Sequence, residues 1–165
     1  MPRSHAARPN LADVPRPALI LGFLGLIPFV AGAAGAWVLE AGQAGLAIPL
    51  QFFYASAVLS FLGAVHWGLA IGDFGPEPNG TSWGRLGWSV IPALAGWLLT
   101  ALEFEPVTMG TALTIAFPIV LVADIVATRR GLAPDWYPAL RIPLTVIATL
   151  ALAASTLRFV FPPGA

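Results

Sequence analysis

Continuous apolar runs, rather than alternating ones, dominate this chain of 165 residues. A helix needs about 20 apolar residues to cross a hydrocarbon core of about 30 Å. Five runs come near that length: Pro17–Leu39, Ile48–Gly72, Gly84–Leu102, Val107–Thr128 and Leu140–Val160. The separators EAGQAGLA, DFGPEPNGTSW, EFEP and RRGLAPDWYPA concentrate glycine, proline and charge, which is turn chemistry. A membrane barrel would show period two, so the runs predict helices. The expected fold is therefore an all-α integral membrane bundle of five transmembrane helices over residues 17–160. An arginine-containing tail (1–16) precedes it and a short tail (161–165) follows. The third run is the weakest, being short and holding Trp88, Ser89 and Pro92.

Composition agrees. Hydrophobic residues make up 58% of the chain and charged residues 10%, with a mean hydropathy of +0.82. Soluble domains carry about 25% charged residues, so the expected solvent is lipid. The charges cancel, eight basic against eight acidic, which argues against a nucleic-acid partner.

The placement of charge predicts orientation. Arg3, Arg8, Arg16, Arg85, Arg129, Arg130 and Arg141 fall in the first tail and the second and fourth loops, and only Arg158 falls on the other side. Positive charge stays in the cytoplasm, so the amino terminus is expected inside and the carboxyl terminus outside. Arg3, Arg8 and Arg16 before an apolar stretch ending in AGAAGA also resemble a signal peptide. The run continues through Val38 and is long enough to span, so an intact first helix is the preferred reading, with a bend expected at Pro28.

Small residues mark helix interfaces in lipid, because they let backbones approach. The second span carries Ser56, Ser60, Ala64, Gly68 and Gly72 at intervals of four. His66 lies on a different face, with Ala55, Leu59, Leu62 and Gly63, and with Asp73 further along. Neighbours are expected on both faces, which puts this span near the bundle centre. The fifth span shows a polar row of Arg141, Thr145 and Thr149.

Depth brings the ionisable residues together. His66 near the end of the second span, Asp124 near the end of the fourth and Arg141 at the start of the fifth fall at one level, with Tyr137 just before. Such residues are costly in a membrane and normally face inward and pair. A structural ion pair between Asp124 and Arg141 and a packing role for His66 are preferred over proton or ligand handling. The candidate polar or ligand-binding cluster is His66, Trp67, Asp124, Tyr137, Arg141 and Thr145, with Asp73, Arg85 and Trp136 secondary. Trp67, Trp83, Trp88 and Trp136 suit interfacial anchoring.

Counting removes several chemistries. The chain has no lysine for a retinal or pyridoxal Schiff base and no cysteine for a thiolate or cluster site. It has one histidine within the spans, too few for bis-histidine haem in one chain, and too few ligand residues for zinc or di-iron centres. No G-x-S-x-G, H-E-x-x-H or P-loop occurs. No catalytic residue, metal or cofactor is expected.

The stretches LGFLGLIPF, FYASAVLSFLGAVHWGLAIG, WSVIPALAGWLL and WYPALRIPLT, together with Asp124, resemble the membrane family of transmembrane protein 69 and its bacterial relatives, domain of unknown function 3429. The resemblance covers nearly everything from Pro17 onward. It implies a five-helix protein of the bacterial inner membrane, or of mitochondria in eukaryotic relatives, with an intact first helix. It implies no reaction, substrate or cofactor, and it places His66, Trp67, Asp124, Trp136, Tyr137, Arg141 and Thr145 at motif positions.

Three functional readings follow. A non-catalytic structural or assembly partner, alone or as a homo-oligomer, is preferred because small-residue faces are abundant and no catalytic constellation is complete. A proton-coupled transporter or channel subunit using His66 and Asp124 is the first alternative, although five spans hold no inverted repeat. The second alternative is a lipid- or quinone-binding enzyme subunit, whose arginine-rich mouth would take an anionic lipid.

Overall fold

A computed structural model of the chain describes residues 10–72, 74–75 and 82–161. Among these residues every regular element is helical: α1 (Arg16–Leu24), α2 (Ile27–Val38), α3 (Ala41–Ile71), α4 (Trp83–Ala101), α5 (Pro106–Arg129) and α6 (Tyr137–Val160). Four stretches are long and apolar enough to cross a membrane: α1 and α2 taken together (Arg16–Val38), Gly42–Ile71, Pro106–Arg129 and Tyr137–Val160. Large hydrophobic side chains, among them Leu24, Phe53, Phe61, Leu94, Ile119 and Leu150, face outward from the bundle. Water would not tolerate that surface, and acyl chains would. The chain is an all-α, multi-pass membrane protein. α4 is a 19-residue helix, about 28 Å at 1.5 Å per residue. Its three tryptophans, its three glycines and Arg85 keep it outside the strongly apolar set.

Local chemistry sets most helix ends. The Ser82 side chain accepts from the Arg85 backbone N–H at 3.3 Å and caps α4. Prolines at the first turns open α5 and α6, where a missing N–H costs nothing. α5 closes on a left-handed Gly131 (φ 72°). There the Gly131 N–H donates to the Thr128 carbonyl and the Leu132 N–H to the Ala127 carbonyl, which is a Schellman motif.

Three expectations are revised. First, the bend in the first span falls at Gly25–Leu26, two to three residues before Pro28, which itself sits in the first turn of α2. Proline displaces the preceding turn rather than its own. Second, α3 begins at Ala41, not Ile48, because AGQAGLA continues the helix despite its glycines. Third, the row spaced by four along α3 divides. Ser56 is buried and Ser60 partly buried, while Ala64, Gly68 and Gly72 are exposed. Each step of four residues advances about 40° beyond a full turn, so the row rotates out of the contact. The close approach to α4 passes instead through Gly63, where an added Cβ would strike the Ser89 carbonyl oxygen. The other close point is Gly96, where an added Cβ would lie 2.7 Å from the Ser56 carbonyl oxygen.

α3 is central, packing against α2, α4 and α5. The main core gathers Phe29, Phe52, Ala55, Leu59, Leu113, Phe117 and Leu152. Phe29 meets Tyr54 and Phe117 edge-on, with ring centroids 5.3 and 5.5 Å apart. α1–α2 and α6 run in the same direction. Gly22 lies against Leu140 and Leu144 at one end, and Arg158 Nε donates to the Ala36 carbonyl at 3.0 Å at the other. Arg85, Arg129, Arg130 and Arg141 therefore share one end of the bundle, the arginine end, with Arg158 opposite.

Candidate functional site

Near the arginine end, α3, α5 and α6 each contribute one ionisable side chain to a single contact. Asp124 is fully buried, at 0% exposure. Its Oδ1 is 2.8 Å from His66 Nε2, and its Oδ2 accepts from Arg141 Nε at 2.6 Å. Both carboxylate oxygens are thereby engaged. His66 and Arg141 are themselves buried.

The register of the helices makes this contact. Ala55, Leu59 and Leu62 are buried on the face that carries His66, so the packing that hides them turns the imidazole inward. Asp124 follows Phe117 and Val120 on the buried stripe of α5, and the Thr128 hydroxyl bonds back to the Asp124 carbonyl at 3.0 Å. Arg141 lies one turn after the buried Tyr137 and one turn before the buried Thr145.

The other candidate residues distribute around this centre. Tyr137, Arg141, Thr145 and Thr149 follow one another at intervals of four along α6. Among the described residues, Tyr137 Oη, Arg141 Nη2, Thr145 Oγ1 and Thr149 Oγ1 are buried without a hydrogen-bond partner. Burial of such groups is expensive unless something pairs with them. Trp136 stacks edge-on against Tyr137 with centroids 6.0 Å apart. Trp67, although adjacent to His66 in sequence, is 42% exposed and does not join the cluster. Neighbours on a helix differ by about 100° in direction, so burying His66 turns Trp67 outward. Asp73 lies outside the described residues.

A cavity of about 420 Å³ reaches the cluster from the arginine end, between α3, α4 and α5. The buried His66 forms part of its wall, and its rim carries Ser82, Arg85 and Arg130. Sequence reasoning placed Arg85 near this level, but it missed Trp88 and Arg130 as lining residues. Trp88 resembles any interfacial tryptophan in the sequence, and only the splay between α4 and α5 gives it a cavity to face.

The geometry offers two kinds of chemistry: a closed ionic contact that holds three helices, and an approach from the arginine end to one member of it. Two ligand-type side chains, His66 and Asp124, meet, and no third His, Cys, Asp or Glu joins them among the described residues.

Comparison with known proteins identifies the family. The family described as "Protein of unknown function (DUF3429)" matches residues 14–157. Transmembrane protein 69 of Xenopus tropicalis is 35% identical over 162 residues, which covers 90% of this chain and 56% of that protein. Transmembrane protein 69 of Mus musculus is 28% identical over 151 residues, covering 91% of this chain and 59% of that protein. The chain thus spans somewhat more than half the length of these curated relatives. No solved structure matches. A match over nearly the whole helical region, from Val14 to Leu157, assigns this chain to the DUF3429 family of membrane proteins, together with transmembrane protein 69.

Proposed function

We propose that this protein is a non-catalytic structural or assembly component of its membrane, held in shape by the His66–Asp124–Arg141 contact. One observation carries the reading: Asp124 is fully buried and both its oxygens are already engaged. A carboxylate so arranged ties α3 and α6 to α5 and leaves little capacity for further partners. Buried charges in spans normally pair in this way. The same reading takes α4 as a fifth span, the arginine end as cytoplasmic and the carboxyl terminus as external, because positive charge collects at one end. It places the protein in the bacterial inner membrane, with mitochondrial membranes the site of its eukaryotic relatives. An acidic lipid at the arginine end and a further membrane protein or second copy along the apolar faces are the partners it admits.

A second reading is favoured by a different observation. The cavity touches His66, and Arg141 Nη2, Tyr137 Oη and Thr145 Oγ1 are buried beside the contact without partners among the described residues. A proton relay through His66 and Asp124 would use such an approach. Reconstitution into liposomes separates the two. The structural reading expects no pH-driven flux above empty liposomes, together with a lower melting temperature for Asp124→Asn in detergent. Flux in the native protein that disappears in a folded Asp124→Asn variant establishes the relay instead.

A further inference from the structure

The cavity at the arginine end has a chemical bias that the ionic contact does not explain. α4 packs closely along α3 and only lightly on α5, so the two helices diverge where α4 begins and α5 ends. A Cβ placed on Gly84 would meet nothing within 4 Å among the described residues, which leaves the first turn of α4 open toward this space. Among the described residues, the ionisable groups on the cavity wall are Arg85, Arg130 and His66, and none is acidic.

The remaining polar groups on the wall also favour donation. Trp88 lines the wall, and its indole Nε1–H is buried with no partner among the described residues. Indole nitrogen can only donate. The N-terminal turn of α4 adds backbone N–H groups and the positive end of a helix dipole. Arg85 is held in position because its Nη2 donates to the Phe74 carbonyl at 2.9 Å, and its other guanidinium donors have no hydrogen-bond partner among the described residues. Arg130 is set at the end of α5 by the turn through Gly131. A wall that supplies donors and positive charge selects an oxyanion, and paired guanidinium groups match phosphate geometry.

The rest of the wall is apolar, formed by Ala123, Val126, Ala127 and Leu132. Val126 is also exposed on the outer surface of the bundle. Donors at the rim with hydrocarbon beside them match the two parts of a phospholipid.

We propose that this cavity is a phosphoryl-binding site, with Arg85 and Arg130 gripping the phosphate and the Trp88 indole donating to it. The proposal rests on the membrane placement above but is independent of whether the His66–Asp124–Arg141 contact serves assembly or proton transfer. The phosphoryl group can belong to an acidic lipid head group or to a soluble phosphate ester, and the apolar wall favours the lipid.

The test titrates the purified full chain in detergent with phosphatidylglycerol, phosphatidylcholine and sn-glycerol 3-phosphate, counting bound molecules by native mass spectrometry. Phosphatidylglycerol is expected to outcompete phosphatidylcholine. Arg130→Gln and Arg85→Gln should each weaken its binding about fivefold, the worth of one arginine at an acidic lipid surface. Arg129→Gln, which removes the same charge next to the cavity but off its wall, should leave binding unchanged. Trp88→Phe should weaken binding without altering charge. Arg130 is exposed, so its variant keeps the test valid if Arg85→Gln misfolds. Displacement of the lipid by sn-glycerol 3-phosphate, or binding of that ester alone, assigns the site to soluble phosphate; retention of the lipid assigns it to the head group. Absence of binding by both phosphatidylglycerol and the ester overturns the proposal. So does equal loss in Arg129→Gln and Arg130→Gln, which would reduce the effect to general surface charge. Melting measured without added lipid reads the ionic contact separately, so failure of one leaves the other standing.

Discussion

Asp124 and Arg141, on successive helices and separated by 17 positions, meet through a 2.6 Å hydrogen bond from guanidinium Nε to carboxylate Oδ2. Removing one partner would leave a buried charge without compensation, at a cost of about 3–5 kcal/mol. Asp124→Ala and Arg141→Ala should each destabilise the protein by that order in a detergent melt. The double variant should cost clearly less than the two singles summed, since no orphan charge remains. Strict additivity would mean that the contact does not act as a unit.

His66 should matter less than Arg141. Its Nε2 contact supports one carboxylate oxygen while Arg141 still holds the other. His66→Ala is expected to cost about 1–3 kcal/mol, the range for a buried hydrogen bond left unmade. A loss as large as that of Arg141→Ala would show the imidazole to be an equal partner.

The kink between α1 and α2 depends on α3. Tyr54 donates its hydroxyl hydrogen to the Gly25 carbonyl at 3.0 Å, and Gln51 Nε2 donates to the Phe29 carbonyl at 2.7 Å. Tyr54→Phe should lower stability by about 0.5–1.5 kcal/mol through that single bond. Equal stability in the two proteins would show that the kink needs no external donor.

Glycine at positions 63 and 96 sets the distance between α3 and α4. Gly96→Val should force the helices apart and cost about 1–3 kcal/mol, as overpacking does. Gly68→Ala, which meets nothing within 4 Å, should be close to neutral. The contrast is read from paired melting curves, and equal effects would refute the close approach.

Cysteine labelling can test orientation directly, because the chain has no native cysteine. Gly42→Cys and Gly84→Cys replace residues whose Cβ meets nothing within 4 Å. An impermeant reagent should reach Cys at 84 only from the cytoplasmic side and Cys at 42 only from the opposite side. Labelling of both from one side would show that α3 does not separate them across the membrane.

Much of the architecture was legible in the sequence because lipid imposes a strict length and polarity rule on each helix. That rule places Asp124 and Arg141 at a common depth before any coordinates exist. It does not fix rotation: Trp67 and His66 share a motif, yet burial of one turns the other toward lipid. A spacing of four also drifts by about 40° per step, a rotation that a row read as one face ignores, which is why Gly63 rather than Gly68 lies against α4. The bend near Pro28 was visible, but its position at Gly25–Leu26 depended on the turn that proline displaces.

By itself, then, the sequence determined the lipid solvent, the all-helical class and the common level of His66, Asp124 and Arg141, since these follow from local hydropathy and rise per residue. Only the tertiary structure decided which side chains touch. It set the Asp124 contact and opened the cavity beside Trp88, because both depend on the angles at which α3, α4, α5 and α6 pack. Those angles arise from side chains meeting across distant segments, which no single stretch of chain encodes.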